Sequence, residues 1–249
     1  MVSIKTPEQI ALMRKAGTIL SLVFEEIAAA IKIGVSASYL DDLAFKTIKK
    51  LGGEPGFLGY SGYKYTTCIS KNEEIVHGIP YPDKILYPGD IFSIDCGVIY
   101  NGYFADAART FLMEPVDPEI EKLVKVTEES FFIGIEKAIP GNYLGDISNA
   151  IQAHVEANHL TVVKDLYSHG IGTELHEDPL IPNYGEAGKG LKLKAGMTFA
   201  IEPMVNIGSE EILTCDDKWT IITADRKWSA HYENTIAILE NGPEILTIS

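Results

Sequence analysis

The chain has 249 residues, of which 46% are hydrophobic, and a formal net charge of −14. This charge argues against nucleic acid or an anionic membrane surface as the main partner, and no apolar run approaches the roughly 18 residues that span a bilayer. The three cysteines, Cys68, Cys96 and Cys215, are scattered and form no C-x-x-C motif, which favours neither a disulfide framework nor a structural zinc site and indicates a cytoplasmic protein.

The first predicted element is a helix that begins after Thr6. Thr6 is a suitable N-cap, Pro7 would occupy the first helical position, and Glu8 would lie in the first turn. The same order of residue types recurs in Asp117-Pro118-Glu119. We therefore predict a helix start at both places, in two related parts of the chain.

The two parts also share an acidic strand, spaced 107 residues apart (89 to 196). Gly89 to Asp95 and Gly196 to Glu202 both alternate in hydrophobicity and both end in a carboxylate. The order and spacing predict one domain, 1–249, with repeated halves of about 1–115 and 116–249, each running helix, helix, His-Gly turn and acidic strand. Because a half-buried acid is costly without a positive partner, the repeat also predicts one shared cation site.

A β-hairpin is predicted where Asn101-Gly102 separates two aromatic-flanked strands. A two-residue Asn-Gly loop places Tyr100 opposite Tyr103 and Asp106 opposite Gly97. Asp95 and Asp106 then lie on one face of the hairpin as diagonal neighbours, roughly 7 Å apart between backbones. Solvated acids on a hairpin would show the same pattern, and a bulge at Gly97 would change the detail. The apolar residues between the two acids favour a buried ribbon, in which the carboxylates need a cation.

The second half supplies two histidines and two further acids. His169 and His176 lie in a glycine-rich stretch, where Gly170 and Gly172 permit unusual backbone dihedrals and suggest a turn that directs an imidazole inward. Glu233 opens another alternating apolar segment. A lone histidine is more often structural, but here two occur together, and His77-Gly78 repeats the pattern in the first half.

The combined donor set is rich in oxygen and contains one nitrogen, from His169. It consists of Asp95, Asp106, His169, Glu202 and Glu233. This composition suits two neighbouring Mn, Fe, Co or Zn ions better than one tetrahedral structural zinc. Such a pair would lower the pKa of a bridging water to about 7, which indicates hydrolysis.

These residues, in this order, resemble the signature of the bacterial-type (type I) methionine aminopeptidases. The resemblance extends over essentially the whole chain and rests on these strings: Cys68-Ile69-Ser70, His77-Gly78-Ile79-Pro80, His169-Gly170-Ile171-Gly172, Ile201-Glu202-Pro203-Met204 and Tyr232-Glu233-Asn234-Thr235. It implies an α+β pita-bread fold, with two pseudo-symmetric halves around a central antiparallel sheet and helices on the outer face. It also implies removal of the N-terminal methionine from chains whose second residue is small, through attack of a metal-bridged water or hydroxide on the first peptide bond.

The resemblance also implies a role for each site residue. Asp95 would chelate one metal, Asp106 and Glu233 would bridge both, and His169 and Glu202 would complete the second. Glu202 would additionally exchange a proton with the bridging water. His176 would contact the scissile carbonyl, His77 would lie near the peptide nitrogen or the following residue, and the free amine of the substrate would bind a metal.

A methionine-binding pocket is expected from the same resemblance. The matching positions are Tyr60, Tyr63, Cys68, Leu175, Met204 and Trp219. The chain departs from the family pattern at Leu175, Ser168, His231 and Asn234, none of which is an expected ligand. Leu175 puts the tightness of the pocket in doubt, and His231 could alter metal affinity from behind the ligands.

Two other functions compete with this interpretation. A proline-specific or creatinase-like hydrolase would carry an additional N-terminal domain, whereas the first helix of the repeat opens this chain. A binding protein on the same fold would be expected to lack ligands, and all five are present. We expect nascent polypeptide N-termini and short Met-initiated peptides as substrates, a transient meeting with the ribosome, and a monomer.

Overall fold

The computed structural model describes residues 2–248, in which the chain forms four α-helices and fifteen short or medium strands. The helices are α1 Pro7–Ala30, α2 Ala37–Lys50, α3 Pro118–Ile135 and α4 Leu144–Ala157. The strands are β1 Glu54–Pro55, β2 Thr67–Lys71, β3 Glu74–Val76, β4 Ile91–Tyr100, β5 Tyr103–Leu112, β6 Thr161–Val162, β7 Tyr167–Gly170, β8 Glu177–Pro182, β9 Thr198–Ile201, β10 Met204–Asn206, β11 Ile212–Thr214, β12 Ile221–Thr223, β13 Ser229–His231, β14 Glu233–Leu239 and β15 Gly242–Ile245.

The predicted helix starts are confirmed by their capping contacts. The Thr6 side chain accepts a hydrogen bond from the Gln9 N–H, and the Gln9 side-chain oxygen accepts one from the Thr6 N–H. The Asp117 carboxylate accepts from the Glu119 N–H at the start of α3. Such caps satisfy N–H groups that have no partner inside the helix, so both helices begin where their sequences predict.

A nine-stranded antiparallel sheet forms the centre of the molecule. Its main path runs β1-β4-β5-β14-β9-β7-β8, with β2 also paired to β4 and β15 to β14. The predicted hairpin register is confirmed, because Tyr100 pairs with Tyr103 and Gly97 pairs with Asp106. The ladder continues through Gly97 without a bulge, so alternation along both strands is undisturbed.

Two helix pairs cover the outer face of this sheet. Leu20 and Val23 of α1 pack in one apolar cluster with Ile94 and Val98 of β4. A second cluster joins residues of α3 and α4 to β9 and β14, and contains Phe131, Ile151, Phe199 and Ile236. The α+β pita-bread architecture is thus confirmed, with one helix pair over each half of the outer face of the sheet. The boundary between the halves at residues 115 and 116 stays our interpretation.

The expectation of a His-Gly turn in both halves is wrong for the second half. His77 lies in a loop after β3 with a left-handed φ of 58°, whereas His169 and Gly170 belong to β7. Gly170 and Gly172 are not among the glycines of residues 2–248 with positive φ. Gly170 is needed for space instead, because a Cβ there would collide with the Asp178 carbonyl of the adjacent strand.

The three cysteines form no disulfide bond with one another. Cys68 and Cys96 are buried, Cys215 is partly exposed, and all three are free. Within the part of the chain that the structure covers, every helix is too short or too polar to traverse a bilayer.

Candidate functional site

The site begins with one row of residues that crosses four strands on the face away from α1 and α2. Cys68 of β2 pairs with Asp95 of β4, Asp95 with Ala108 of β5, and Ala108 with Glu233 of β14. Directly paired residues point to the same face of a sheet, so a pocket residue and two acids stand side by side. The small side chain of Ala108 leaves space between the two carboxylates.

Asp106 joins this row from the next position along the hairpin face. Its backbone N–H donates to Thr235 Oγ1, and the Thr235 hydroxyl donates back to the Asp106 carbonyl. This reciprocal pair ties β5 to β14 at the level of the acids. The carboxylate is 4% exposed, and Asp106 Oδ1, like Asp95 Oδ1, has no hydrogen-bond partner among the described residues.

Glu202 and His169 approach the acids from the second half. The His169 Nδ1–H donates to the Gly170 carbonyl at 2.8 Å, which leaves Nε2 with its lone pair directed toward the site. Nε2 lies 3.6 Å from Glu202 Oε1. Ser168 supports this arrangement, because its hydroxyl accepts from the Glu202 N–H and donates to Asn183.

His231 is a second imidazole beside the same carboxylates. It ends β13, is 1% exposed, and does not line the cavity described below. Its Nε2 lies 3.4 Å from Glu202 Oε2 and 4.0 Å from Glu233 Oε2. Neither ring nitrogen has a hydrogen-bond partner among residues 2–248.

Burial and mutual repulsion dominate the electrostatics of the four acids. Burial, with the nearby Glu202 carboxylate, raises the pKa of Asp95 to about 7. Burial first, and then Asp95 and Glu202, raise the pKa of Asp106 well above its usual range. The pKa of Glu233 rises for the same reasons, and burial alone raises that of Glu202. Four carboxyl groups buried so close together cannot all be ionised unless positive charge lies nearby.

The donor set fits divalent metal ions. Ligand atoms of Asp106, His169 and Glu233 lie within 4.8 Å of one another, and so do those of Glu202, His231 and Glu233. Unpaired buried carboxylate oxygens are the groups that a cation would satisfy, and oxygen with imidazole nitrogen is a donor mixture suited to Mn, Fe, Co or Zn. Burial lowers the pKa of His169 to about 3, so its imidazole is neutral, the form that binds metal.

A cavity of about 180 Å³ opens against the acids. All thirteen residues predicted as metal ligands, catalytic groups or pocket residues line it: Tyr60, Tyr63, Cys68, His77, Asp95, Asp106, His169, Leu175, His176, Glu202, Met204, Trp219 and Glu233. The sequence analysis missed four further lining residues, Phe57, Val76, Leu166 and Tyr167. All four lie within three residues of a predicted site residue, but nothing in their apolar or aromatic type distinguishes them from core.

The apolar side chains that line the cavity are mostly buried, and specific contacts fix their positions. Tyr63 is 4% exposed, donates from its hydroxyl to the Thr67 carbonyl at 2.8 Å, and packs edge-on against Trp219 at 4.8 Å. Leu175 and Met204 are buried beside them at 3% and 1% exposure. Aromatic rings and sulfur give a flexible apolar side chain favourable contacts.

Two further histidines, His77 and His176, line the same cavity. The His176 Nδ1 lies 2.7 Å from the Tyr60 hydroxyl, and its ring centroid lies 4.3 Å from that of His169. Burial lowers the pKa of His176 and, together with His231 and His176, lowers that of His77 to about 4. The left-handed φ of His77 is uncommon for a residue with a side chain and is typical of functional positions. Both rings are neutral hydrogen-bond donors at neutral pH.

Comparison with known proteins identifies the family. The model of metallopeptidase family M24 matches residues 11–240. The chain is 52% identical to methionine aminopeptidase of Clostridium perfringens over 248 residues, covering 100% of this chain and 99% of that protein, and 48% identical to methionine aminopeptidase 1 of Bacillus subtilis, covering 99% of both. It superposes with a TM-score of 0.98 on the crystal structure of methionine aminopeptidase from Thermotoga maritima, which is 45% identical over the full length of both chains. The chain therefore belongs to metallopeptidase family M24, among its methionine aminopeptidases.

Proposed function

We propose that the protein removes the N-terminal methionine from polypeptides whose second residue is small. Support comes from one juxtaposition: four carboxylates and His169 line the same cavity as the apolar side chains of Tyr63, Leu175 and Met204. Such a cavity would accept an unbranched side chain with its backbone held at the acids. The names of the full-length relatives agree with this activity.

Two divalent ions, of Co, Mn, Fe or Zn, would be held by the five ligands Asp95, Asp106, His169, Glu202 and Glu233. Bound there, the metal would activate water and polarise the scissile carbonyl. Two overlapping clusters of ligand atoms, which share Glu233, support more than one metal position, and they group His169 with Asp106 and Glu202 with His231. In this proposal Asp95 belongs to one position, His169 and Glu202 to the other, and Asp106 and Glu233 to both.

The residues of the chain would carry the proton transfers and the orientation of the substrate. Glu202 accepts a proton from the attacking water and later delivers it to the leaving amine, a role that its raised pKa suits. His176 donates a hydrogen bond to the carbonyl oxygen as negative charge develops there. His77 lies near the peptide nitrogen or the residue that follows, while the apolar wall excludes water from the methionine side chain.

The cellular setting belongs to the same proposal. The substrates would be nascent chains and short peptides that begin with methionine, in the cytoplasm. The protein would contact the ribosome transiently to reach the nascent chains. The −14 charge favours no stable contact with RNA, and we propose that the protein acts as a monomer.

The activity can be tested with two peptides that differ only at the first residue. Purified protein is incubated with Met-Ala-Ser or Ala-Ala-Ser, with chelator or with Co, Mn, Fe or Zn added, and the free amino acids are measured. We expect release of methionine alone, its loss in chelator and its recovery with metal. Equal release of alanine would remove the assigned specificity, and undiminished release in chelator would remove the metal. Ala-Pro, added as a third substrate, tests the competing function, and its cleavage in place of Met-Ala-Ser would indicate a proline-specific peptidase.

A further inference from the structure

The Glu202 carboxylate lies between two imidazoles, and each of its oxygens has one ring nitrogen as a neighbour. Oε1 lies 3.6 Å from His169 Nε2, and Oε2 lies 3.4 Å from His231 Nε2. The two histidines come from different strands, β7 and β13, so the arrangement is not a consequence of a local sequence repeat. His169 has a place in the proposed metal centre, and His231 has none.

The ring of His231 is buried with both nitrogens unpaired. The backbone of this residue is well anchored: its N–H donates to the Thr110 hydroxyl, and its carbonyl accepts from the same hydroxyl. The ring lacks equivalent partners among the described residues, although a buried unpaired polar group costs about 1–3 kcal/mol. Asp95 Oδ1 and Asp106 Oδ1 lack hydrogen-bond partners in the same way, and both are oxygens of the proposed centre.

A hydrogen bond to Glu202 does not account for the position of this ring. The Nε2 to Oε2 separation of 3.4 Å exceeds the roughly 2.7–3.2 Å usual for N–H donors. Nε2 also lies 4.0 Å from Glu233 Oε2. One nitrogen thus faces oxygens of two carboxylates without bonding either, and this spacing leaves room for a cation shared by all three side chains.

Glu202, His231 and Glu233 form a group with the same composition and compactness as Asp106, His169 and Glu233. In each group one imidazole nitrogen and two carboxylate oxygens lie within 4.8 Å of one another. Glu233 belongs to both, so the groups are adjacent. The first contains the imidazole of the proposed centre, and the second offers another imidazole from the buried side.

We propose that His231 is an additional ligand, which gives the metal centre of this protein a second imidazole nitrogen. The inference rests on the proposed metal centre and extends its donor set from five side chains to six. Imidazole ligands suit Zn, Fe, Cu and Ni, whereas carboxylate ligands alone suit Mg and Mn. A second imidazole from His231 therefore shifts the metal preference of the site toward Zn, Fe, Cu and Ni.

The experiment observes each histidine ring directly. Protein labelled with ¹⁵N-histidine is compared with and without Zn²⁺ by long-range proton–nitrogen correlation, which distinguishes a zinc-bound ring nitrogen from a free one. The chain has six histidines, and His154 and His159 on and after α4 serve as internal references. We expect zinc-bound patterns for His169 and His231 and unchanged patterns for the two references.

The variant His231→Gln removes one imidazole, and His159→Asn, at an exposed position, is the matched control. We expect one zinc-bound ring in the first variant and two in the second. We also expect zinc affinity, measured by competition with a chromophoric chelator, to fall at least about tenfold only in the first. Thermal unfolding of the metal-free proteins checks folding, with His231→Asn as a second replacement.

The outcomes separate this inference from the function on which it rests. Zinc binding at His169 but not at His231 in the unmodified protein would overturn the role of His231 and leave the proposed centre intact. Binding at neither histidine would overturn both. The measurement on the unmodified protein decides the matter even if both replacements fail to fold.

Discussion

At the scale of single residues, the proposed catalytic residue His176 forms a partly exposed hydrogen-bonded pair with Tyr60. The Tyr60 hydroxyl lies against Nδ1 of His176, so the other ring nitrogen is free to face a substrate carbonyl. Tyr60 is 37% exposed, so this contact lies at the mouth of the cavity. Neither residue touches the proposed metal ligands through a hydrogen bond given by the structure.

Replacing His176 with Ala should reduce turnover by about 10²-fold or more, because a donor to developing negative charge is removed. Bound metal and thermal stability should remain near those of the unmodified protein. Tyr60→Phe, which keeps the ring of His176 but removes its support, should cause a smaller loss. Initial rates on Met-Ala-Ser and metal analysis provide the test, and full activity of His176→Ala would exclude this residue from the mechanism.

At the scale of elements, a buried ion pair fastens the N-terminal segment to the loop that carries Leu175 and His176. The Lys5 ammonium lies 2.5 Å from Glu177 Oε2, and the two side chains are only 6% and 14% exposed. Glu177 Oε1 accepts from the Thr173 N–H at the other end of the loop. The segment before α1 thereby holds a loop of the site in place.

Lys5→Met should lower the free energy of unfolding by about 1–3 kcal/mol, because the largely buried Glu177 carboxylate loses its cation and keeps only neutral hydrogen-bond donors. It should also lower kcat without changing the metal content, since the loop with His176 loosens. Arg14→Met breaks an exposed pair with Glu244 and should cost no more than about 1 kcal/mol. Urea denaturation with steady-state kinetics measures both.

The double variant Lys5→Met, Glu177→Gln separates charge from packing. Replacing the charged Glu177 carboxylate with a neutral amide should recover part of the lost free energy of unfolding, although the loop remains less firmly held. A double variant that is less stable than Lys5→Met alone would show that the pair does not act through its charges.

Elements were predictable from sequence where local chemistry determines them. Thr6 and Asp117 cap helices by contacts within three residues, and the Asn101-Gly102 loop sets the hairpin register. The strand at His169 was mistaken for a turn, because glycine is also used where two backbones approach closely. That approach depends on Asp178 in a neighbouring strand, which no local pattern reveals.

The candidate site was predictable only in part, for the same reason. Its acids lie in or directly beside alternating apolar strands and could be found by that pattern, whereas Phe57 and Leu166 resemble any core residue. The geometry of His231 depends on the packing of β13 against the acidic strands, so its contact with Glu202 could not be read from the chain.

At the scale of the whole molecule, the site exists only where the two halves meet. Asp95 and Asp106 come from the first half, and His169, Glu202 and Glu233 come from the second. The seam between them is the pairing of β5 with β14, where Glu233 lies opposite Ala108. Repulsion among ionised acids disfavours the pairing of the two halves and so lowers the stability of the metal-free protein. Bound metal would neutralise the acids and raise the stability.

Asp95→Asn should therefore shift stability in opposite directions with and without metal. Without metal, the variant should be more stable by about 1–2 kcal/mol, because one buried charge is removed. With metal at 100 times its Kd, the unmodified protein should gain about 2.7 kcal/mol and the variant much less. Denaturant unfolding in chelator and in metal measures both, with the exposed Asp216→Asn as control. Equal destabilisation of Asp95→Asn under both conditions would contradict a role in binding metal.

The alternation along the central hairpin assigns neighbouring residues to different tasks. Ile94 and Cys96 face the helices, while Asp95 between them faces the cavity, and Ala105 and Ala107 bracket Asp106 in the same way. A mutational scan that scores cellular abundance and turnover separately should therefore divide this ribbon by parity. Substitutions of the residues that face the helices should lower cellular abundance. Substitutions of Asp95 and Asp106, which face the cavity, should leave abundance near normal and abolish turnover.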